Sequence, residues 1–207
     1  MLARRADLPA KPAAVNLEGD RVLLRPYGAA DAPELHTISD GSAVTRLGRS
    51  IPAHDHEELI WRFLPGGPFD DAAGLDEYQQ AVANRPDTRT YVVADRVSGE
   101  LLGSASIMSN DPGALKIEIG SIWYSPAVQG SGVATEVTQL VADHVFGLGY
   151  QRFEWKCNSD NIRSRAFAER FGFRFEGIQD AHMIVKGRRR DTAWFRILAA
   201  EWPEVRR

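Results

Sequence analysis

A single cysteine, Cys157, rules out an internal disulfide, so any core this chain forms holds by packing alone. No uninterrupted apolar run reaches the ~20 residues that a membrane-spanning helix needs. The opening MLARRADLPAKPAAV has no apolar stretch resembling a signal peptide, and the expectation is a soluble, cytoplasmic protein. Charge of one sign is missing too. Lys and Arg total 25 against 28 Asp and Glu, so neither nucleic acid nor a membrane is expected as a partner without a local basic patch. KGRRR at 186–190 is the densest basic run, and it reads as a solvated hairpin turn. His54 and His56 flank Asp55 without a further His or Cys cluster, so they read as a solvated helix start and no metal is expected. There is no internal repeat and no second domain boundary. With 207 residues the chain fits one domain with a sizeable core at 17–207, behind an Ala- and Pro-rich segment 1–16 that reads as a loosely held tail.

What is present alternates between two periodicities. Val22, Leu23 and Leu24 suggest a strand. AADAPELHTIS and DHEELIWRFL suggest helices with Asp31 and Asp55 as N-caps, and Leu59, Ile60 and Phe63 give the second an apolar face. After a short amphipathic segment at 75–83, TRTYVVADRVSGELLGSASIM reads as a hairpin turning at Ser98-Gly99. ALKIEIGSIWYSP adds a third successive strand, which favours an antiparallel meander. Val133, Val137, Leu140, Val141, Val145 and Leu148 then recur at helical spacing, and Phe153, Trp155 and Cys157 alternate as a strand. A helix between two strands makes one crossover unit. DNIRSRAFAERFGF predicts a helix with Ile162, Phe167 and Phe171 on one side, ended by a left-handed Gly172. A hairpin across the basic turn closes the chain, and the pattern as a whole is α+β.

The stretch PAVQGSGVATE places two glycines two apart at the strand-to-helix turn of that crossover. Amides at a helix start are unpaired, the helix dipole adds partial positive charge there, and glycine lets an anion approach the backbone. The loop therefore reads either as an anion site or as an ordinary tight turn. It is not a Walker loop, because VQGSGVA lacks the Lys-Ser/Thr pair.

Taken together, Gln129, Gly132 and Ala134 in the loop, and Asn161, Ser164, Gly172 and Phe173 in and after the later helix, resemble the GCN5-related N-acetyltransferase (GNAT) superfamily. LEGDRVLLRPY, the ATE after the loop, GFRFEGI and RDTAWFRILAAEWP resemble its RimJ/RimL-like branch. The resemblance runs over roughly residues 17–202. It implies a mixed, mostly antiparallel twisted sheet of about seven strands with helices on both faces. Two central strands, about 115–124 and 151–157, would splay apart to admit the pantetheine arm of acetyl-CoA.

The resemblance also implies a transfer of an acetyl or other acyl group from acyl-CoA to a primary amine, by direct attack in a ternary complex. The pyrophosphate would rest on the amides of Gly130, Ser131, Gly132, Val133 and Ala134. Gln129 would either join it or serve only as a polar loop residue, and Thr135 and Glu136 would cap the helix locally. Asn161 would cap its own helix and contact pantetheine. Glu118 would be the general base, or else a strand glutamate paired with a neighbour such as Lys116. The tyrosine that many relatives carry six residues after the helix asparagine is replaced by Phe167, which leaves Ser164 and, in reserve, Tyr124 as donors to the leaving sulfur. Ser164 reads otherwise as a serine that only bonds locally, and the commoner fate of Tyr124 is buried strand packing. The oxyanion would meet a backbone amide at a bulge near 120–124. Cys157 reads as a small apolar strand residue.

A base matters according to the acceptor. Deprotonation at pH 7 costs roughly 4.6 kcal/mol for a lysine amine of pKa ~10.4, but about 1.1 kcal/mol for an α-amino group near ~7.8. Peptide amino termini and small-molecule amines both remain open as acceptors, as does a homodimer through the carboxy-terminal strands. A noncatalytic acyl-CoA-binding or protein-interaction module on the same fold is the second reading.

Overall fold

The computed structural model describes residues 8–206. In chain order the strands are β1 (Leu17–Glu18), β2 (Val22–Pro26), β3 (Val44–Arg46), β4 (Arg49–Ile51), β5 (Arg89–Asp95), β6 (Leu101–Asp111), β7 (Lys116–Tyr124), β8 (Arg152–Asn158), β9 (Arg174–Val185) and β10 (Arg188–Leu198). The helices are α1 (Ala32–Thr37), α2 (Ala72–Ala83), α3 (Val133–Gly147), α4 (Ile162–Phe171) and α5 (Trp202–Val205). Eight strands form one sheet in the order β1-β2-β5-β6-β7-β8-β10-β9, and β3-β4 is a separate hairpin. The sheet is thus one strand wider than expected, and the small hairpin turns through Leu47 and Gly48, both left-handed. Every pairing is antiparallel except β7 with β8, the two strands joined through α3.

Strand alternation sorts the core to both faces of the sheet. Tyr91 and Val93 face the cluster that contains Val133, Val137, Val141 and Val145 of α3. Val92 and Ala94 face Leu35 of α1, Leu75 of α2 and Trp61. Ile162 does not join Phe167 and Phe171: it is two-thirds exposed, while the two phenylalanines stack with centroids 5.9 Å apart. Gly172 ends α4 in the left-handed conformation as its position predicts, with φ 113°.

Local details depart from the sequence reading where side chains found better partners. Asp31 does not cap α1. It forms an ion pair with Arg25 and accepts the Gly28 N–H. Asp55 does accept the Glu58 N–H at 2.9 Å, but the helix it starts is a single wide turn, Glu57–Trp61, and Trp61 rather than Leu59, Ile60 or Phe63 is its buried residue. The β5-β6 turn is not two residues. Asp95 bonds across to Glu100, and its carboxylate receives the Val97 and Ser98 N–H groups, closing a four-residue loop at 96–99. The final hairpin turns at Lys186-Gly187, so Arg188, Arg189 and Arg190 lie in β10.

The largest correction concerns the amino-terminal segment. Residues 1–7 lie outside the described residues, but 8–16 are docked, not loose. Leu8 is buried in the core. Asn110, itself buried, donates to the Pro9 and Ala10 carbonyls at 2.8 Å each and accepts the Tyr150 hydroxyl. Arg89 and Tyr91 donate to the Pro12 and Ala13 carbonyls. A peptide segment without its own periodicity is held because strand residues supply donors to its carbonyls. Removing residues 1–14 is expected to cost about 3 kcal/mol from one buried leucine and several hydrogen bonds. In a chain of this size that lowers Tm by roughly 6–12 °C, measurable by calorimetry on the truncated and full-length proteins. An unchanged Tm would mean that the docking contributes nothing.

Candidate active site

The parallel ladder between β7 and β8 has three pairs, Lys116–Arg152, Ile117–Phe153 and Glu118–Glu154, and then the strands part. β7 also carries a bulge. Ser104 and Ser106 of β6 face Trp123 and Gly120, so Ser121 and Ile122 stand opposite one residue, and Ser121 takes φ 50°. The bulge bends β7 away from β8. Two chambers of about 390 and 480 Å³ occupy the opening. They share Ile60, Phe63, Ile122, Trp155, Asn161 and Ser164, which makes them two halves of one groove.

One half ends at the glycine loop. Gly130 and Gly132 both have left-handed φ, 75° and 92°. The Ser131 N–H is used on the Val128 carbonyl, and its hydroxyl bonds the same oxygen at 2.6 Å. The N–H groups of Gly130, Gly132 and Ala134 have no hydrogen-bond partner among the described residues, and these three residues line the chamber. The Val133 N–H donates to Ser131 Oγ at 3.4 Å, so the Ser131 and Val133 amides, unlike the other three, are already engaged. The loop is braced from below. Gln129 Nε2 donates to the Leu59 and Tyr124 carbonyls at 3.1 and 3.3 Å.

Glu136 does not cap α3. Its carboxylate receives the Arg21 and Val22 N–H groups and the Arg21 guanidinium at 3.0 Å, tying the β1-β2 turn to the helix. Arg21 also donates to the Ser131 carbonyl and stands 3.0 Å from where a Cβ on Gly132 would lie, a cation beside the free amides. The composition of LEGDRV gave no signal for it, since the pairing spans 115 residues.

The other half holds the charged groups. Glu118 is 3% exposed, and its Oε2 accepts from Lys156 at 2.7 Å and Ser109 at 2.9 Å, while Oε1 has no partner among the described residues. Its partner is Lys156 rather than Lys116, because the parallel register carries β8 past it. Burial raises the Glu118 pKa, with Lys156 and Ser109 opposing and the neighbouring Glu154 adding to the rise. Glu154 has its own cation, Arg152, at 2.6 Å. Burial also pushes the Cys157 thiol up, which keeps it a thiol and leaves it the apolar strand residue expected.

At the junction, Asn161 caps α4 by accepting the Ser164 N–H at 3.0 Å, and Ser164 Oγ accepts the Trp155 indole N–H at 3.1 Å. The Tyr124 hydroxyl is buried with no hydrogen-bond partner among the described residues, and Tyr124 lines the loop half. Desolvation raises its pKa, so the phenol keeps its proton. Phe167 packs on Trp155, centroids 5.2 Å apart. His54 and His56 lie outside both chambers, and no cluster of three metal-ligating side chains occurs among the described residues.

The family model described as "Acetyltransferase (GNAT) domain" matches residues 21–174. The chain belongs to the GNAT acetyltransferase family. The crystal structure of a GCN5-related N-acetyltransferase from Brucella melitensis is 38% identical and superposes with a TM-score of 0.84, covering 95% of this chain and 84% of that one. A Bacillus subtilis protein named "Putative ribosomal N-acetyltransferase YdaF" is 30% identical over 76% of this chain and 86% of its own length. RimL, a ribosomal L7/L12 α-N-protein acetyltransferase, shares the fold with a TM-score of 0.72 at 20% identity, covering 89% and 94% of the two chains. This GNAT chain is therefore RimJ/RimL-like in fold and a transferase by family. No helix of its described residues is long and apolar enough to cross a membrane.

The bracing by Gln129 can be measured without any ligand. Gln129→Ala removes two hydrogen bonds that brace the loop, so a loss of about 2 kcal/mol is expected, or roughly 4–8 °C in Tm. A Tm within 1 °C or so of the parent would show that the side chain does no bracing.

Proposed function

We propose that this GNAT chain transfers an acetyl group from acetyl-CoA to a primary amine by direct attack in a ternary complex. The acceptor would be a protein amino terminus or a small-molecule amine. The observation that carries the reading is the pair of chambers meeting at Ile122, Trp155, Asn161 and Ser164, one ending in free loop amides and the other in a buried carboxylate. Donor and acceptor would enter from opposite sides and react at the junction. The donor supplies a thioester, whose carbonyl is open to an amine nucleophile and whose thiol is an acceptable leaving group.

The residues fit a CoA-like donor. Gly130, Gly132 and Ala134 offer N–H groups to a pyrophosphate, with the helix dipole behind them and Arg21 beside them. In the splay, β7 amides beyond Glu118 have no β8 partner and can serve the pantetheine amides. Asn161 stands at the junction for the same arm. An amide of the Ser121–Ile122 bulge would meet negative charge developing on the carbonyl oxygen. Glu118 would take the amine proton at Oε1, directly or through water, and its raised pKa strengthens it as a base while Lys156 steadies the anion.

Tyr124 is the better supported donor to the departing sulfur. Ser164 already accepts from Trp155, whereas the Tyr124 hydroxyl has nothing else to bond. A phenol with a raised pKa gives a hydrogen bond more readily than a proton, so the sulfur would leave as a thiolate stabilised by that bond and take its proton from solvent.

Two experiments separate binding from chemistry. Gly132→Val puts a branched Cβ at a left-handed position beside Arg21, and acetyl-CoA affinity measured by calorimetry should fall at least about tenfold. Equal affinity would remove the loop from the site. Glu118→Gln and Tyr124→Phe should keep that affinity and lose rate. For the glutamine, kcat in a thiol-release assay should fall by about 10²–10⁴. Its parent's kcat/KM should rise with pH through the raised Glu118 pKa, because the base works only once ionised, and that limb should vanish in the variant. Tyr124→Phe deletes an unsatisfied buried hydroxyl, so it should be as stable as the parent or more so while turning over more slowly. Parent-like rates in both variants, on an acceptor that the parent acetylates, would defeat these assignments.

A further inference from the structure

The acceptor half of the groove is positively charged. Arg85, Lys156 and Arg190 line it against one carboxylate, Glu118. Lys156 is already spent: it sits 2.7 Å from Glu118, with its ammonium 4.6 Å from the Trp194 ring centre. Arg190 is different. It is half-buried, its Nε is sealed from solvent with no hydrogen-bond partner, and no carboxylate of the described residues pairs with it. The adjoining Arg189 pairs with Asp191 at 3.4 Å, so the strand had a partner available and Arg190 faces away from it into the chamber. Burial disfavours its charge, with the Glu118 carboxylate acting the other way. A desolvated guanidinium with an orphaned N–H is costly unless something occupies the chamber.

Resting on the transferase reading above, we infer that the acceptor carries a carboxylate close to its amine, and that Arg190 binds that carboxylate, with Arg85 at the mouth adding attraction. A simple ammonium would meet a chamber whose net charge already opposes it. An amine joined to a carboxylate brings its own counter-charge, and the guanidinium fork matches a carboxylate with two parallel hydrogen bonds. The same field favours the neutral amine over the ammonium, which is the form that attacks. The carboxylate belongs either to a free α-amino acid or to an acidic residue at a peptide amino terminus. About 390 Å³ admits the first whole and the end of the second.

The test is calorimetric titration of the CoA-loaded protein with matched pairs: alanine against alaninamide, and an Asp-Ala-amide dipeptide against Asn-Ala-amide. The carboxylate member of at least one pair is expected to bind about tenfold tighter or more. Preference in the first pair identifies amino acids, and preference in the second identifies acidic termini. In Arg190→Gln, with its melting temperature checked, the ratio should collapse to within about threefold of unity, and Arg190→Lys should restore part of it. Equal affinities in both pairs, or a ratio that survives Arg190→Gln, overturns the inference. The transferase reading fails differently: preference in the titrations without thiol release from acetyl-CoA and any primary amine leaves the anion subsite standing and removes the reaction.

Discussion

The short parallel ladder between β7 and β8 is the constraint on which the rest of the molecule turns. Were the pairing to continue past Glu118 and Glu154, the sheet would be closed there and no groove would exist. The bulge at Ser121–Ile122 adds a residue to β7, increases its bend and lets β8 go its own way. The crossover then fixes what stands at each end of the opening. β7 ends at Tyr124, so the turn into α3 and its unpaired amides fall at one mouth. The last rung holds Glu118, so the carboxylate falls at the depth of the other.

The distribution of buried polar groups follows from that opening. Away from it, charge is compensated locally: Asp31 by Arg25, Glu154 by Arg152, Glu136 by Arg21 and two backbone amides. Six buried side-chain atoms have no partner among the described residues: the Tyr124 hydroxyl and Arg190 Nε at the opening, and His54 Nε2, His56 Nδ1, Ser125 Oγ and Trp194 Nε1 elsewhere. Each such group costs on the order of 1–3 kcal/mol, a sizeable share of a domain's net stability. Of the six, the two that border the chambers are the ones that occupation of the groove would relieve.

Local signals were legible and pairings were not. The valines at 133, 137, 141 and 145 announce α3, and the alternation of Phe153, Trp155 and Cys157 announces a strand whose three residues are in the core. The glycine spacing marked a turn before a helix, and both glycines take positive φ there. What failed depended on register or on distant side chains. Lys116 was the neighbour of Glu118 in sequence, but the parallel crossover brought Lys156 to it. Asp31 had the look of a cap until Arg25 claimed it. The docked segment 8–16 has no pattern of its own, since its hold comes from Asn110, Arg89 and Tyr91 reaching its backbone. A polar strand residue such as Asn110 gives no sign of partners a hundred positions away. Nor does a tyrosine at a strand end reveal that its hydroxyl will have none.

Three rungs are also few for joining a sheet of this width. The β1-β2-β5-β6-β7 half and the β8-β10-β9 half share only that short ladder, flanked by the Gln151 and Arg152 N–H groups on the Leu115 carbonyl, and α3, which packs against β1, β2, β7 and β8, is the main splint across the seam. Such a molecule should open in two cooperative blocks rather than one, with amide hydrogen exchange fastest along the facing edges of β7 and β8 beyond the last rung. Anything that settles between those edges would act as a missing set of rungs, so that occupancy is felt first as stiffness across the seam and only secondarily as a change of shape.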